Sequence, residues 1–307
     1  MNVGVHLDPD GRGVSYEWES YEDFLPDLAK IKEKRPAVFK GTLECGGARD
    51  PERWFGCKSF YDVQHKTAYG WPELRERCIK MLNGIELDLP LFPTMSQVRR
   101  RKRIRDEQGD ALDIGRVWNG QLDTAWERPV RTERNAMNTK RITVAFDVTA
   151  NAYVSNDMAM WRAALCTLLV DSLARAGRVF EIWVVDSTAS PFTWGSHMPM
   201  KLWSAWCVKR TGDPLLLDRV CAMVSVGFMR TAGFMAMGAG TWSPSTGFGA
   251  AMNYGLPMTL RKRQESGEVV LRIGECYDRR SVINEYKRAW EEVERQHAGD
   301  QHAQCVG

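Results

Sequence analysis

The chain has 307 residues, with 42 Lys and Arg set against 39 Asp and Glu, 44% hydrophobic residues and 8 cysteines. That length makes one large domain or two modest ones, and with 26% charged residues the composition excludes wholesale disorder and fibrous folds. No apolar run approaches the ~20 residues that span a bilayer, and a net charge of +3 is too small to imply an anionic partner by itself.

The first residues, Met1-Asn-Val-Gly-Val-His-Leu-Asp, have neither the basic nor the apolar region of a secretory signal. None of the eight cysteines stands in a C-x-x-C pair or at zinc-finger spacing from a histidine. The expectation is reduced, inert thiols in a cytoplasmic protein. Cys166 and Cys221 in particular lie in apolar helical stretches, where a free thiol packs as a small hydrophobe.

In chain order, residues 1–19 read as loop or short strand. Ser20 with Asp23 three residues on gives an N-cap, and Phe24, Leu25, Leu28 and Ile31 continue at helical spacing to Lys34. Pro26 is near enough to the start to be tolerated. A second helical stretch is predicted from about Ser59 to Leu82, interrupted at Gly70-Trp71-Pro72, and residues up to 95 complete a helical N-terminal region. Pro90 and Pro93 mark an extended linker.

Residues 96–139 read as a basic hairpin and connector. Arg99, Arg100, Arg101, Lys102, Arg103 and Arg105 follow one another with no acid among them. Such a stripe can bind the phosphates of nucleic acid, releasing counterions. Equally, Val98 and Ile104 could face inward on a hairpin that turns at Gln108-Gly109, with Asp106, Glu107, Asp110 and Asp113 pairing across from the arginines. From Asn119 to Asn138 the chain reads as a long connection.

The character changes at Arg141. Ile142-Thr-Val-Ala-Phe-Asp is an apolar run closed by an acid, as a buried parallel strand is. Trp161 to Ala176 follows with an apolar helical face, and then a second such strand begins at Val179. Strand, helix, strand is a βαβ unit that crosses over right-handedly. Lys201–Val208 is a third candidate strand. Asp213-Pro214 starts a helix to about Val224, and another runs from Phe228 to Met237. Residues 238–257 are loop, Glu268–Ile273 is a strand, and Arg279–Gln296 is a closing helix before a flexible tail at 298–307. The fold class expected is α/β, a mostly parallel sheet flanked by helices, over residues 140–297.

Ligand sites of open parallel sheets lie outside the carboxyl ends of the strands. There the chain reads Asp147-Val-Thr-Ala-Asn, so Asp147, Thr149 and Asn151 alternate and can present oxygen donors of the kind Mg²⁺ or Mn²⁺ takes. The same residues suit a plainer role, in which a strand-end acid caps the following loop through backbone N–H groups. Asp147-x-Thr149-x-Asn151 after a buried strand resembles the metal-ion-dependent adhesion site of von Willebrand factor A domains. In that family the sequence is Asp-x-Ser-x-Ser, so Asn151 departs from it by placing an amide where a hydroxyl stands. The resemblance implies a sheet with helices on both faces, a divalent ion, a later acid, for which Asp186 is the candidate, and a distant Thr, for which Thr211 or Thr231 is. It also implies binding of a protein partner without catalysis. The layout further resembles uncharacterised proteins of tailed phages and mobile elements, through Gly70-Trp71, Gly115-Arg-Val-Trp-Asn-Gly120 and Gly227-Phe-Met-Arg-Thr-Ala-Gly-Phe234.

Weaker features complete the reading. The Gly-rich segment from Gly238 lacks the G-K-[ST] of a phosphate-binding loop. Met223, Met229, Met235 and Met237 could form a soft binding face or fill the core. Trp203 and Trp206 could stack bases, although in a strand they point to opposite faces. No nucleophile–base order or pair of catalytic carboxylates stands out. The function expected is a protein-interaction or structural module acting near Asp147, Thr149, Asn151 and Asp186, with nucleic-acid binding through Arg99–Arg105 as the alternative.

Overall fold

The computed structural model describes residues 3–7, 13–34, 36, 40, 50–83, 85, 89–92, 102–106, 111–112, 126–130, 141–149, 154–189, 201–239, 250–251, 255–274 and 276–305. These fall into two compact units, one made of residues 1–93 and 140–307, the other of residues 94–139.

The larger unit opens with an antiparallel pair, β1 (Val3–Leu7) and β2 (Gly13–Trp18). Helix α1 (Tyr21–Lys34) starts at Ser20, whose hydroxyl accepts the Asp23 N–H, and Pro26 lies within it. Among the described residues, α2 (Pro51–Phe55), α3 (Phe60–Tyr69, capped by Ser59) and α4 (Pro72–Leu82) follow. The break between α3 and α4 belongs to Gly70, at φ 103°, where a Cβ would stand 2.8 Å from Asp218 Cβ.

After residue 140 come β6 (Ile142–Asp147), α5 (Asn156–Arg175, capped by Ser155) and β7 (Phe180–Ala189). β6 and β7 are parallel neighbours, so the expected βαβ unit is present. β8 (Lys201–Lys209) is the third strand expected, but it runs antiparallel to β7 and pairs on its other side in parallel with β2. β10 (Val269–Ile273) lies parallel to β6 at the far edge. The order is therefore β1-β2-β8-β7-β6-β10, with a short strand β9 (Ala250–Ala251) on β7. It is a mostly parallel α/β sheet, and the helical N-terminal region expected for residues 1–95 also contributes two of its strands.

Alternation divides the core. Val144, Phe146, Ile182, Val184, Leu271 and Ile273 join the large cluster beneath α5 and the N-terminal helices, while Ala145, Trp183, Val185, Cys207 and Val270 form a thinner cluster with Leu260. Trp206 belongs to the large cluster. It stacks on Trp18 at 5.4 Å and receives the edges of Phe24 and Phe228. Trp203 lies on the opposite face against Arg261, so no two-Trp platform exists. Met223, Met229 and Met235 are core residues rather than a surface face.

Several boundaries differ from those predicted. The helix expected from Asp213 is α6 (Leu217–Met223), because the Asp213 carboxylate instead accepts the Arg210 N–H and closes a turn. The helix expected over Phe228–Met237 is composite: a turn at Val226–Phe228, a π-helical turn at Met229–Gly233 and α7 (Phe234–Ala239). Its wide turn is closed by Phe234 N–H donating to Met229 O, five residues back. Gly227 lets this segment lie on α2, since a Cβ there would meet Phe55 O at 2.5 Å. A helix that short-range pattern did not reveal, α8 (Met258–Glu265), covers the thinner cluster. The closing helix α9 (Arg279–Cys305) continues through most of the expected tail.

In the smaller unit, β3 (Lys102–Asp106) and β4 (Ala111–Leu112) do not form the predicted hairpin with each other. Both pair antiparallel with β5 (Trp126–Val130), inside the stretch expected as connection. The residue opposite Arg105 is thus Glu127, not one of the acids at 106–113.

Candidate functional site

The carboxyl end of β6 holds the site. Asp147 is buried, and both its oxygens are engaged: Oδ1 accepts the Thr149 N–H at 3.0 Å, and Oδ2 accepts Arg272 Nη2 at 2.6 Å. The first contact is the loop-capping bond of a strand-end acid. The second joins neighbouring parallel strands, since Arg272 lies in β10 with Ala145 as its Cα partner. The Arg272 side chain keeps 25% exposure, against 5% for Asp147.

Thr149 ties this strand end to its neighbour. Its hydroxyl accepts the Ser187 N–H at 2.9 Å, and its carbonyl accepts Arg162 Nη2 at 3.3 Å. Arg162 is fully buried in α5, with no acceptor for Nε or Nη1 among the described residues.

Asp186 sits on the other face of the sheet from Asp147. Asp147 continues the alternation of Ala145, toward the thinner cluster, and Asp186 that of Val184, toward the helical layer. Asp186 is 1% exposed, and no donor meets hydrogen-bonding geometry with either oxygen among the described residues. It abuts the π-helical turn, where a Cβ on Gly233 would stand 3.8 Å from Oδ2. Burial pushes its pKa up to about 7, and the Asp147 charge adds to the rise; the nearby Thr149 hydroxyl, Ser187 amide and Arg162 charge oppose it.

Of the predicted residues, Asp147 and Thr149 are bonded to each other at the end of β6, and Asp186 lies near them on the opposite face of the sheet. Asn151 lies outside the described residues, as do Arg99, Arg100 and Arg101. Lys102, Arg103 and Arg105 lie on β3. Neither candidate for the distant Thr joins the cluster. The Thr231 hydroxyl donates to Gly227 O, and that of Thr211 donates to Glu181, at the opposite end of β7. Sequence reasoning missed Arg272 and Arg162. The available signal was a lone Arg within an apolar strand and another within an apolar helix face.

The residues present fit a divalent ion poorly in this arrangement. A guanidinium occupies the carboxylate oxygen an ion would take, and the Thr149 hydroxyl already accepts a backbone N–H. Among the described residues, no group of three or more His, Cys, Asp or Glu is placed to hold a metal. Also among these residues, no helix is long and apolar enough to cross a membrane.

Comparison with known proteins found no match among curated proteins and none among solved structures. A family model does match, over residues 8–297, a span that takes in β2 and the Asp147 edge. The chain therefore belongs to the family described as Domain of unknown function (DUF7192).

Proposed function

We propose that the chain is a non-enzymatic protein-interaction module that meets its partner at the carboxyl-end edge of the sheet. The observation that supports this reading is the Arg272–Asp147 pair, a partly exposed guanidinium fixed by a buried carboxylate at a strand end. In von Willebrand A-like domains a metal ion receives an acid of the partner. Here Arg272 takes that role, because a guanidinium binds carboxylate through paired N–H donors and Asp147 holds it in place. A Mg²⁺- or Mn²⁺-loaded Asp147 is the competing form of the same reading. The likeness to phage and mobile-element proteins makes a phage structural or host protein the partner class to test.

The experiment is cross-linked capture from the source cell with wild type, Arg272→Glu and Asp147→Ala as baits. It is paired with melting in EDTA, Mg²⁺ or Mn²⁺. A partner held by wild type and lost by Arg272→Glu, with no metal-dependent shift, supports the guanidinium form. A metal-dependent rise in Tm that vanishes in Asp147→Ala supports the metal form. Equal capture by all three baits overturns the site.

Nucleic acid is the second reading, favoured by the basic run Arg99–Arg105, of which Lys102, Arg103 and Arg105 belong to β3. Salt-sensitive retention of the wild type on a polyanion column, lost in Arg103→Gln/Arg105→Gln, would favour it.

A further inference from the structure

A cleft of ≈ 1080 Å³ opens between α2, α3, α4 and the first turn of α5, apart from the Asp147 pair. Its wall includes Arg230, from the π-helical turn whose Gly233 abuts Asp186. Arg230 is 2% exposed and has no carboxylate partner among the described residues. Its guanidinium donates to Trp54 O and Val154 O, each at 2.6 Å, and lies 4.0 Å from the centre of the Trp54 ring. Burial alone draws its pKa down to about 10, with no neighbouring acid raising it. A buried cation with only dipolar partners is incompletely compensated.

Beside it stands a second incomplete group. The Trp54 ring lines the cleft, and its Nε1–H is buried without an acceptor among the described residues. Lys66 lies over Trp71 at 4.4 Å on the same wall, and the N-terminus of the 20-residue α5 adds the positive end of its dipole. The wall carries five carboxylates and five cations, and among the described residues none of these carboxylates pairs with Arg230. Asp50 accepts the Arg53 N–H, Asp62 accepts the Lys58 N–H and pairs with Lys66 at 4.0 Å, and Asp157 pairs with Arg77 at 3.6 Å. Glu52 and Glu73 are exposed.

We propose that this cleft binds a small phosphate-bearing molecule, with its oxyanion at Arg230 and the Trp54 Nε1–H and its organic part against Trp71. An oxyanion supplies both the negative charge Arg230 lacks and the acceptor Trp54 lacks. The volume is far larger than one phosphate and leaves room for the organic part of a ligand of mononucleotide size.

The test is calorimetric titration of the full chain with inorganic phosphate and with a 5′-mononucleotide, for wild type, Trp54→Phe, Lys66→Met and Arg230→Lys. Trp54→Phe keeps an aromatic ring and deletes the donor, so it reports on binding even if Arg230→Lys fails to fold. The expected result is binding of the mononucleotide at least about tenfold tighter than phosphate, weakened about tenfold by Trp54→Phe. Binding of phosphate and mononucleotide with equal affinity assigns the site to the free anion and overturns the mononucleotide-sized ligand. No binding of either, or affinities unchanged in Trp54→Phe and Lys66→Met, overturns the site.

Discussion

Arg272 reaches across from the edge strand β10 to Asp147 on β6, with Nη2 and Oδ2 2.6 Å apart. The pair joins the last residue of β6 to the penultimate residue of β10 on the thinner face of the sheet. Asp147 thus caps the following loop through Oδ1 and pairs with a guanidinium through Oδ2.

Removing the guanidinium leaves Asp147 buried with its charge uncompensated. Arg272→Met is expected to lower stability by about 2 kcal/mol, a value below that of a fully buried pair because Arg272 is partly exposed. Asp147→Asn/Arg272→Met should lose less than the sum of the two single changes, since the second removes what the first orphaned. Urea denaturation of the four proteins measures this, and strict additivity would show that the two side chains act separately.

Asp186 makes stability depend on pH in the direction opposite to that of a salt-bridged acid. Its pKa rises from 3.8 to about 7 in the folded chain, so the folded state holds a proton that the unfolded state has released. Its contribution is full below the unfolded value and is lost as pH rises from about 4 to about 7. Asp186→Asn should flatten that part of the profile, matching wild type near pH 4 and exceeding it near pH 8. Parallel profiles for the two proteins, from denaturation across pH 4–8, would place the titration elsewhere.

The stack of Trp18 on Trp206 binds the N-terminal strands to the sheet. Trp18 is 1% exposed, and its Nε1 donates to Asp27 Oδ2 at 3.2 Å, so ring and donor are both used. Trp18→Ala should cost about 3–5 kcal/mol in one cooperative transition. A cost below about 1 kcal/mol in urea denaturation would mean that the stack does not hold the N-terminal strands to the sheet.

Much of the architecture was legible because it is local. Ser20 and Ser59 announce their helices through one side-chain bond each, Gly70 breaks a helix by its φ, and the apolar runs at 142–147 and 179–186 declare buried strands by their length. Where two states are locally similar, the pattern failed. The π-helical turn at Met229–Gly233 has an ordinary helical composition, and β5 carries the polar sequence of a connection.

The sequence by itself determined the α/β class, the βαβ unit and the strand end at Asp147, since each depends on residues close together in the chain. Only the tertiary structure decided that β8 runs antiparallel to β7 and that β2 enters the same sheet. It also decided that Asp147 meets Arg272, 125 residues away. Asp147 and Asp186 look alike as acids closing apolar strands, yet register places one against a guanidinium and buries the other on the opposite face, beside the π-helical turn. The physical reason is that a strand's alternation fixes which side chains share a face, while pairing between distant segments fixes what that face meets.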